Sequence, residues 1–401
     1  MTYDFTTVLD RHGKDALAVE SAPFGYAERL AQHPPRFEPI PMWVADMNFA
    51  TVPTVQSAIA GRLEHGAFGY FNARDEYYES IIRWQSTHNG VTGLRAEHIG
   101  YENGVLGGVV AALNAMCTCG DEVLVHSPTY VGFTHALGDC GYRIVHSPLV
   151  KDADGVWRMD LADMEEKLRT HRIHAAILCS PHNPTGRVWE RWELEQAMDL
   201  YRRYDVFVVS DEIWSDLTLF GNRHVPTQSV SEDAKNRTVA LYAPSKTFNL
   251  AGLIGSYHII YNRTLHDRVL RASDVTCYNH MNLLSMYALI GAYQSEGEVW
   301  LEELRTVLGE NVDLACRALT ERFEGIEVFR PQGTYMLFPD FSGWCAAHGK
   351  TMDELICSGY DAGVFWQDGR AFHGAHSIRL NLALPKSKLE EALDRLEKYV
   401  L

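Results

Sequence analysis

The stretch Thr238–Asn262, TVALYAPSKTFNLAGLIGSYHIIYN, reads as a buried strand, a Pro-Ser turn and a second buried strand. Its apolar runs are Val239–Tyr242 and Tyr257–Tyr261. Outward toward the N-terminus, runs of the same kind recur at Val206–Ser210, Ala175–Cys179, Arg143–His146 and Glu122–His126. Helical patterns fall between several of them, as at Val105–Met116 and Glu193–Tyr204. Short, nearly all-apolar strands alternating with helices predict an α/β fold: a mainly parallel sheet covered on both faces.

Outward in the other direction the texture changes near Asn282. Two long helical patterns, Leu283–Tyr293 and Val299–Phe323, precede strand candidates Glu327–Arg330, Tyr335–Pro339 and Ser377–Leu382. With helices expected at Met352–Ala362 and Lys386–Tyr399, this mixture predicts a smaller α+β domain. The Pro-rich segment from His33 to Pro41 reads as an extended lead-in to the large domain.

The whole chain has 401 residues, with 36 basic against 52 acidic side chains, a net charge of −16. That surplus repels phosphate backbones and anionic lipid, so neither nucleic acid nor membrane is the expected partner. Hydrophobic residues at 46% and charged residues at 22% exclude a disordered chain. The eight cysteines include no C-x-x-C, and Cys117-x-Cys119 lacks a partner pair at zinc-site spacing, so buried, reduced thiols are expected. The spacings His171-x-x-His174 and His373-x-x-His376 lack further clustered ligands, and no metal is read into them. The start, MTYDFTTVLDRHGKD, has neither the basic nor the apolar region of a secretion signal. The most apolar stretch, Gly104–Cys117, falls short of the roughly 20 residues that span a bilayer. A soluble, cytoplasmic protein is the expectation.

Ligands of open α/β sheets bind beyond the carboxyl ends of the strands, so those positions carry the functional reading. Lys246 is the only Asp, Glu, Lys or Arg between Thr238 and Asn262. An apolar setting disfavours the ammonium form and makes a lysine an amine nucleophile, able to form a Schiff base. In VFVVSDEIW, Asp211 and Glu212 follow an apolar strand; either caps the next element or pairs with a cationic ring nitrogen or metal. In CSPHNPTG, two X-Pro bonds fix a turn from which the Asn183 amide can donate to a ligand oxygen. In YENGVLGGVVAAL, Asn103-Gly104-Val105 opens an apolar helix whose N–H groups and dipole attract phosphate. Tyr130 in HSPTYVGF is either a core tyrosine or a ring that stacks on a flat ligand. Arg379 in HSIRLNLAL, the one charge in an apolar strand, suits bidentate capture of a carboxylate or a structural ion pair.

Taken together and in this order, SPHNPTG, SDEIW and APSKTFNLAG resemble the pyridoxal-phosphate enzymes of the class I/II aminotransferase superfamily, of the aspartate-aminotransferase fold type. The resemblance covers Pro41 to Leu401. PMWVADMNF, HGAFGYF, GEVWLEEL with Asn311, and PQGTYMLFPDF are similar to the carbon–sulfur β-lyases within it. It implies fold type I, with a mainly parallel seven-stranded-type sheet in a large domain sandwiched by helices, plus a smaller α+β domain. The boundaries it implies are 1–45 for an N-terminal arm with part of the small domain, 46–285 for the large cofactor-binding domain and 286–401 for the C-terminal small domain.

The same resemblance implies the roles. Lys246 would hold pyridoxal 5′-phosphate covalently and, once released, move the Cα proton. Asp211 would keep the ring nitrogen protonated. Asn183 would bond the ring hydroxyl and Tyr130 would stack on the ring. The Gly104 and Val105 backbone, with the Ser245 hydroxyl, would hold the phosphate, and Tyr70 from a second subunit would complete that cradle in a homodimer. Arg379 would bind the substrate carboxylate, beside Val44 and Ala45. Three positions depart from the usual patterns. Ile254 stands where aminotransferases carry a phosphate-binding arginine, and Trp214 where they often carry tyrosine; both lean toward the lyases. Asn48 replaces the second aspartate of the branch's Asp-Met-Asp-Phe, which leans away. The expected activity is α,β-elimination from cystathionine, cysteine or a related S-substituted cysteine. An aminotransferase shares every residue named, and a non-catalytic binding protein would not need the buried lysine. A nicotinamide dehydrogenase would need G-x-G-x-x-G after an early strand, which is absent.

Overall fold

In the computed structural model, which describes residues 1–401, the apolar runs join into one eight-stranded sheet. Its strands are β1 (Ile99–Asn103), β2 (Glu122–Ser127), β3 (Arg143–Lys151), β4 (Trp157–Met159), β5 (Ile173–Cys179), β6 (Phe207–Asp211), β7 (Thr238–Tyr242) and β8 (Gly255–Ile259). They lie in the order β1-β8-β7-β6-β5-β2-β3-β4. The five strands from β7 through β3 pair in parallel, β8 runs antiparallel to both β7 and β1, and β4 adds an antiparallel edge. Seven strands were expected, and the short β4 is the eighth: Trp157–Met159 pairs back onto Leu149–Lys151 in a hairpin.

Alternation along the strands feeds two cores. Val123, Val125, Ala175, Ile177, Val209, Val239 and Leu241 pack on one face with residues of α3 (Val105–Met116), α4 (Val131–Asp139) and α7 (Arg263–Thr276). Leu124, Ala176, Leu178 and Val208 pack on the other with α5 (Leu161–Thr170) and α6 (Arg191–Arg203). A strand buried on both faces must be apolar at odd and even positions alike, which is why these runs lack polar alternation. Helix α5 starts where the Asp160 side chain accepts the Ala162 and Asp163 N–H groups, and α7 where Asn262 accepts that of Leu265.

This sheet belongs to one of two compact units, Thr51–Asn183 with Arg187–Glu302. The other unit is Met1–Ala50, Pro184–Gly186 and Glu303–Leu401. The divisions at 50/51 and 302/303 differ from the expected 45/46 and 285/286. The later one moves because α8 (Leu283–Ala292) packs on α1 (Pro53–Leu63), keeping it with the sheet. Helix α9 (Ser295–Arg322) begins in one unit and ends in the other.

In the second unit, β9 (Met336–Leu337), β11 (Ile378–Asn381) and β10 (Gln367–Asp368) form an antiparallel sheet with β11 in the middle. Ile40–Pro41 pairs in parallel with Val364–Phe365. Helices α10 (Met352–Asp361) and α11 (Lys386–Tyr399) lie at the expected places. The strand expected at Glu327–Arg330 is reduced to one bridge, Glu327 to Asp340, and Pro331, lacking an N–H, follows it.

Candidate active site

Strand register builds the first part of the site. Cys179 of β5 is the partner of Asp211 of β6, which is the partner of Leu241 of β7. The ladder runs one step further: Ser180 N–H donates to the Asp211 carbonyl at 2.9 Å, and Glu212 N–H to the Leu241 carbonyl at 2.9 Å. Three neighbouring parallel strands therefore end level. They deliver the turn that carries Asn183, the Asp211 carboxyl group and the segment that carries Lys246 to one edge. The sequence β1-β8-β7 gives β1 the same direction as β7, so Gly104 and the N-terminus of α3 reach that edge too. Tyr130, the N-cap residue of α4 just beyond β2, does likewise.

Asp211 and Glu212, both buried, have separate environments. Glu212 accepts from four groups: Ser210 Oγ at 2.9 Å, Thr227 N–H at 3.0 Å, the Tyr242 hydroxyl at 2.6 Å and His224 Nε2 at 2.6 Å. Burial by itself would raise this carboxyl, but the His224 charge and these bonds outweigh it and hold it below its ordinary value. Asp211 accepts the Ile213 N–H at 3.1 Å. Burial pushes its carboxyl up to about 7, only partly offset by that bond and by the Lys246 charge. Of the two acids read from the sequence, Glu212 is consumed by the fold and Asp211 is the one left with a single N–H donor and a carboxyl raised by burial.

Lys246 sits in a one-turn helix, Pro244–Thr247, directly after β7. It is half-buried, and its ammonium lies 6.0 Å from the centre of the Trp214 ring. The turn is anchored from below. Thr247 Oγ donates to Asp216 Oδ2 at 2.9 Å, and the Trp84 indole N–H, from α2 (Asp75–Asn89), to Asp216 Oδ1 at 3.0 Å. Phe248 is fully buried against Trp84 and Trp300. Sequence reading missed Asp216; an acid five residues after Asp211 carries no signal until the fold brings Thr247 to it.

Gly104 caps α3 with φ +78°, a conformation that favours glycine. The β-branched Ile254, at φ +65°, lies with its Cγ2 3.7 Å from where a Cβ on Gly104 would be. The position that aminotransferases fill with arginine therefore borders the helix start, carrying no charge. Val105 and Asn183 are buried, Tyr130 and Ser245 half-buried. Tyr70 is fully exposed, on a loop with exposed Phe68 and Phe71.

The second unit gathers its own set. Arg379, on the central strand β11, is buried, stacks 4.3 Å from the centre of the Phe372 ring and donates from Nη2 to the Trp43 carbonyl at 2.9 Å. The neighbouring loop carries Val44 and Ala45, both half-buried. Asn381 Nδ2 donates to the Val44 and Asp46 carbonyls at 2.8 and 2.6 Å. Arg11, which sequence reading did not single out, pairs with Asp46 and bonds the Met47 carbonyl and Asn48 Oδ1, each at 3.3 Å. Asn48 thus meets an arginine, as an aspartate would.

These residues fit pyridoxal 5′-phosphate. Burial raises the Asp211 carboxyl to about 7, so an added cation beside it would favour its anion, and a protonated pyridine nitrogen would provide one. A glycine-capped helix start suits the phosphate. No group of three or more His, Cys, Asp or Glu side chains is placed to hold a metal ion.

A parallel sheet that delivers an acid, an amide and a lysine to its carboxyl edge is the architecture of a large enzyme class. The aminotransferase class I and II family model matches residues 42–396, and the chain belongs to that family. It is 33% identical over 360 residues to the cystathionine beta-lyase PatB of Bacillus subtilis (strain 168), covering 89% of this chain and 92% of that one. It is 32% identical over 405 residues to the protein MalY of Escherichia coli (strain K12), covering 98% and 97%. Among solved structures, the pyridoxal-phosphate-bound C–S lyase of Staphylococcus hominis superposes with a TM-score of 0.89 at 30% identity, over 100% and 99% of the two chains. The expected superfamily, its carbon–sulfur lyase branch, the fold type and the cofactor are thereby borne out.

Proposed function

We propose that the protein is a pyridoxal-phosphate-dependent carbon–sulfur β-lyase that cleaves cystathionine, cysteine or a related S-substituted cysteine. Bound pyridoxal phosphate supplies the electron sink for charge developing at the substrate Cα. The residues do the rest. Arg379 captures the α-carboxylate and so orients the Cα–H bond, with Val44 and Ala45 beside it. The Lys246 amine removes the Cα proton; its electron pair forms the Cα–Cβ double bond as the Cβ–S bond breaks, and sulfur leaves as thiolate. The released enamine hydrolyses to pyruvate and ammonia. Asp211 holds the ring nitrogen's proton, Asn183 donates to the ring hydroxyl, Tyr130 covers the ring, and Gly104, Val105 and Ser245 receive the phosphate.

The observation that carries the reading is the placement of Asp211, a buried acid raised by burial, at the same sheet edge where Lys246 emerges. Two neighbours favour the lyase over an aminotransferase: Trp214, whose indole donates but does not accept a proton, and the uncharged Ile254 beside Gly104. The enzyme works as a homodimer in the cytoplasm. Supporting this are the exposed Phe68, Tyr70 and Phe71, from which Tyr70 would reach a second subunit's phosphate, and eight unpaired cysteines. No helix is long and apolar enough to cross a membrane. The test is incubation with cystathionine and no keto acid: pyruvate release supports the reading, and turnover only when a keto acid is added replaces it with transamination.

A further inference from the structure

The C-terminus of α7 ends in a turn that the proposed chemistry leaves unexplained. Cys277 adopts φ +52°, and the Tyr278 N–H returns to the Ser273 carbonyl at 3.1 Å. This left-handed cap reverses the chain and lays the Tyr278 ring across the first turn of α3. There it exchanges hydrogen bonds with a residue 175 positions away. Asn103 Nδ2 donates to the Tyr278 carbonyl, while the Tyr278 hydroxyl donates to the Asn103 carbonyl at 2.9 Å and reaches that of Gly104 at 3.4 Å. The approach is so close that a Cβ on Gly107 would lie 1.7 Å from the phenolic oxygen. Helix α7 packs along α3, so the contact has a rigid base.

We infer that Tyr278 is a positioning residue for the cofactor's phosphate, setting the peptide planes at the Asn103–Gly104 turn. In a trans peptide the carbonyl and the following N–H point opposite ways. The Gly104 carbonyl accepts the Gly108 N–H at 3.0 Å and faces the phenol at 3.4 Å, so the phenol braces a peptide whose Val105 N–H aims the other way, out of the start of the helix, where phosphate would bind. Burial keeps the phenol above its ordinary value, so it remains a neutral donor at working pH. The inference rests on the reading of Gly104 and Val105 as the phosphate cradle.

The test compares apoprotein affinity for pyridoxal 5′-phosphate with that for pyridoxal, which lacks the phosphate, by equilibrium dialysis. Tyr278→Phe is expected to raise the Kd for pyridoxal phosphate about tenfold and leave that for pyridoxal unchanged. Asn103→Ser, which removes the other half of the exchange, should give the same selective loss. If wild type binds both compounds equally, the cradle itself is misassigned and the inference falls with it. If wild type prefers the phosphate compound and both variants keep that preference, or weaken both compounds alike, Tyr278 has no positioning role and the cradle stands.

Discussion

Asp211 and Glu212 are adjacent in the chain and both buried, yet the fold drives their carboxyl groups in opposite directions. His224, Tyr242 and the Thr227 N–H hold Glu212 low, whereas burial lifts Asp211 to about 7. A folded-state value above the unfolded one means that the apoprotein binds this proton more tightly than the unfolded chain. Stability contributed by the protonated group is fully present below about pH 4 and is lost as pH rises through about 7, at most about 4 kcal/mol. Asp211→Asn removes that loss. Melting temperatures of the two apoproteins should therefore diverge between about pH 4 and 7, the variant being the more stable at the upper end. Parallel curves would mean that Asp211 is not raised. On the proposed role of Asp211 as the ring nitrogen's anion, the same variant should lose roughly 100-fold or more in kcat.

Glu212 makes the opposite prediction. Glu212→Gln leaves His224 and the other donors facing a neutral amide in a dry interior, and should cost about 3 kcal/mol of stability in urea unfolding. A loss below about 1 kcal/mol would show that the cluster carries no buried charge.

The proposed phosphate site beside the uncharged Ile254 can be tested by restoring what aminotransferases carry. Ile254→Arg places a guanidinium beside Gly104, and an unbranched side chain tolerates φ +65° better than isoleucine. Cofactor Kd should fall about tenfold, measured by dialysis, corresponding to one charge-assisted hydrogen bond. Unchanged affinity would place the phosphate elsewhere.

Arg11 ties the N-terminal segment to the loop carrying Val44 and Ala45 through Asp46, Met47 and Asn48. If the loop shapes substrate binding and not proton transfer, as proposed, Arg11→Ala should raise KM for the amino acid about tenfold while kcat falls less than threefold. An equal fall in kcat with KM unchanged would contradict that division.

The motifs at the strand ends were legible because buried parallel strands are continuous apolar runs, so Asp211 and Lys246 stand out as their terminal interruptions. Helices Val105–Met116 and Lys386–Tyr399 emerged with the bounds read from periodicity. The strand Ile99–Asn103 did not. It contains Gly100 and Glu102, and Glu102 is tolerable only because His258 Nδ1, on the paired strand, lies 2.7 Å from its carboxylate. Helix α2 was missed for a related reason: Trp84 finds its hydrogen-bond partner at Asp216, far along the chain. Tyr278, Asp216 and Arg11 act through bonds across 31 to 175 residues, and composition near each residue says nothing of them.

The level ending of β5, β6 and β7 constrains how this enzyme can change. A strand turns alternate residues to opposite faces, so one residue inserted or deleted within Phe207–Asp211 would offer Ser210 or the already satisfied Glu212 in place of Asp211. Connections at the other edge of the sheet can lengthen without altering that count. Sequence drift in length should therefore concentrate on the edge away from Lys246, and a designer grafting new specificity here should vary loops and leave strand lengths alone.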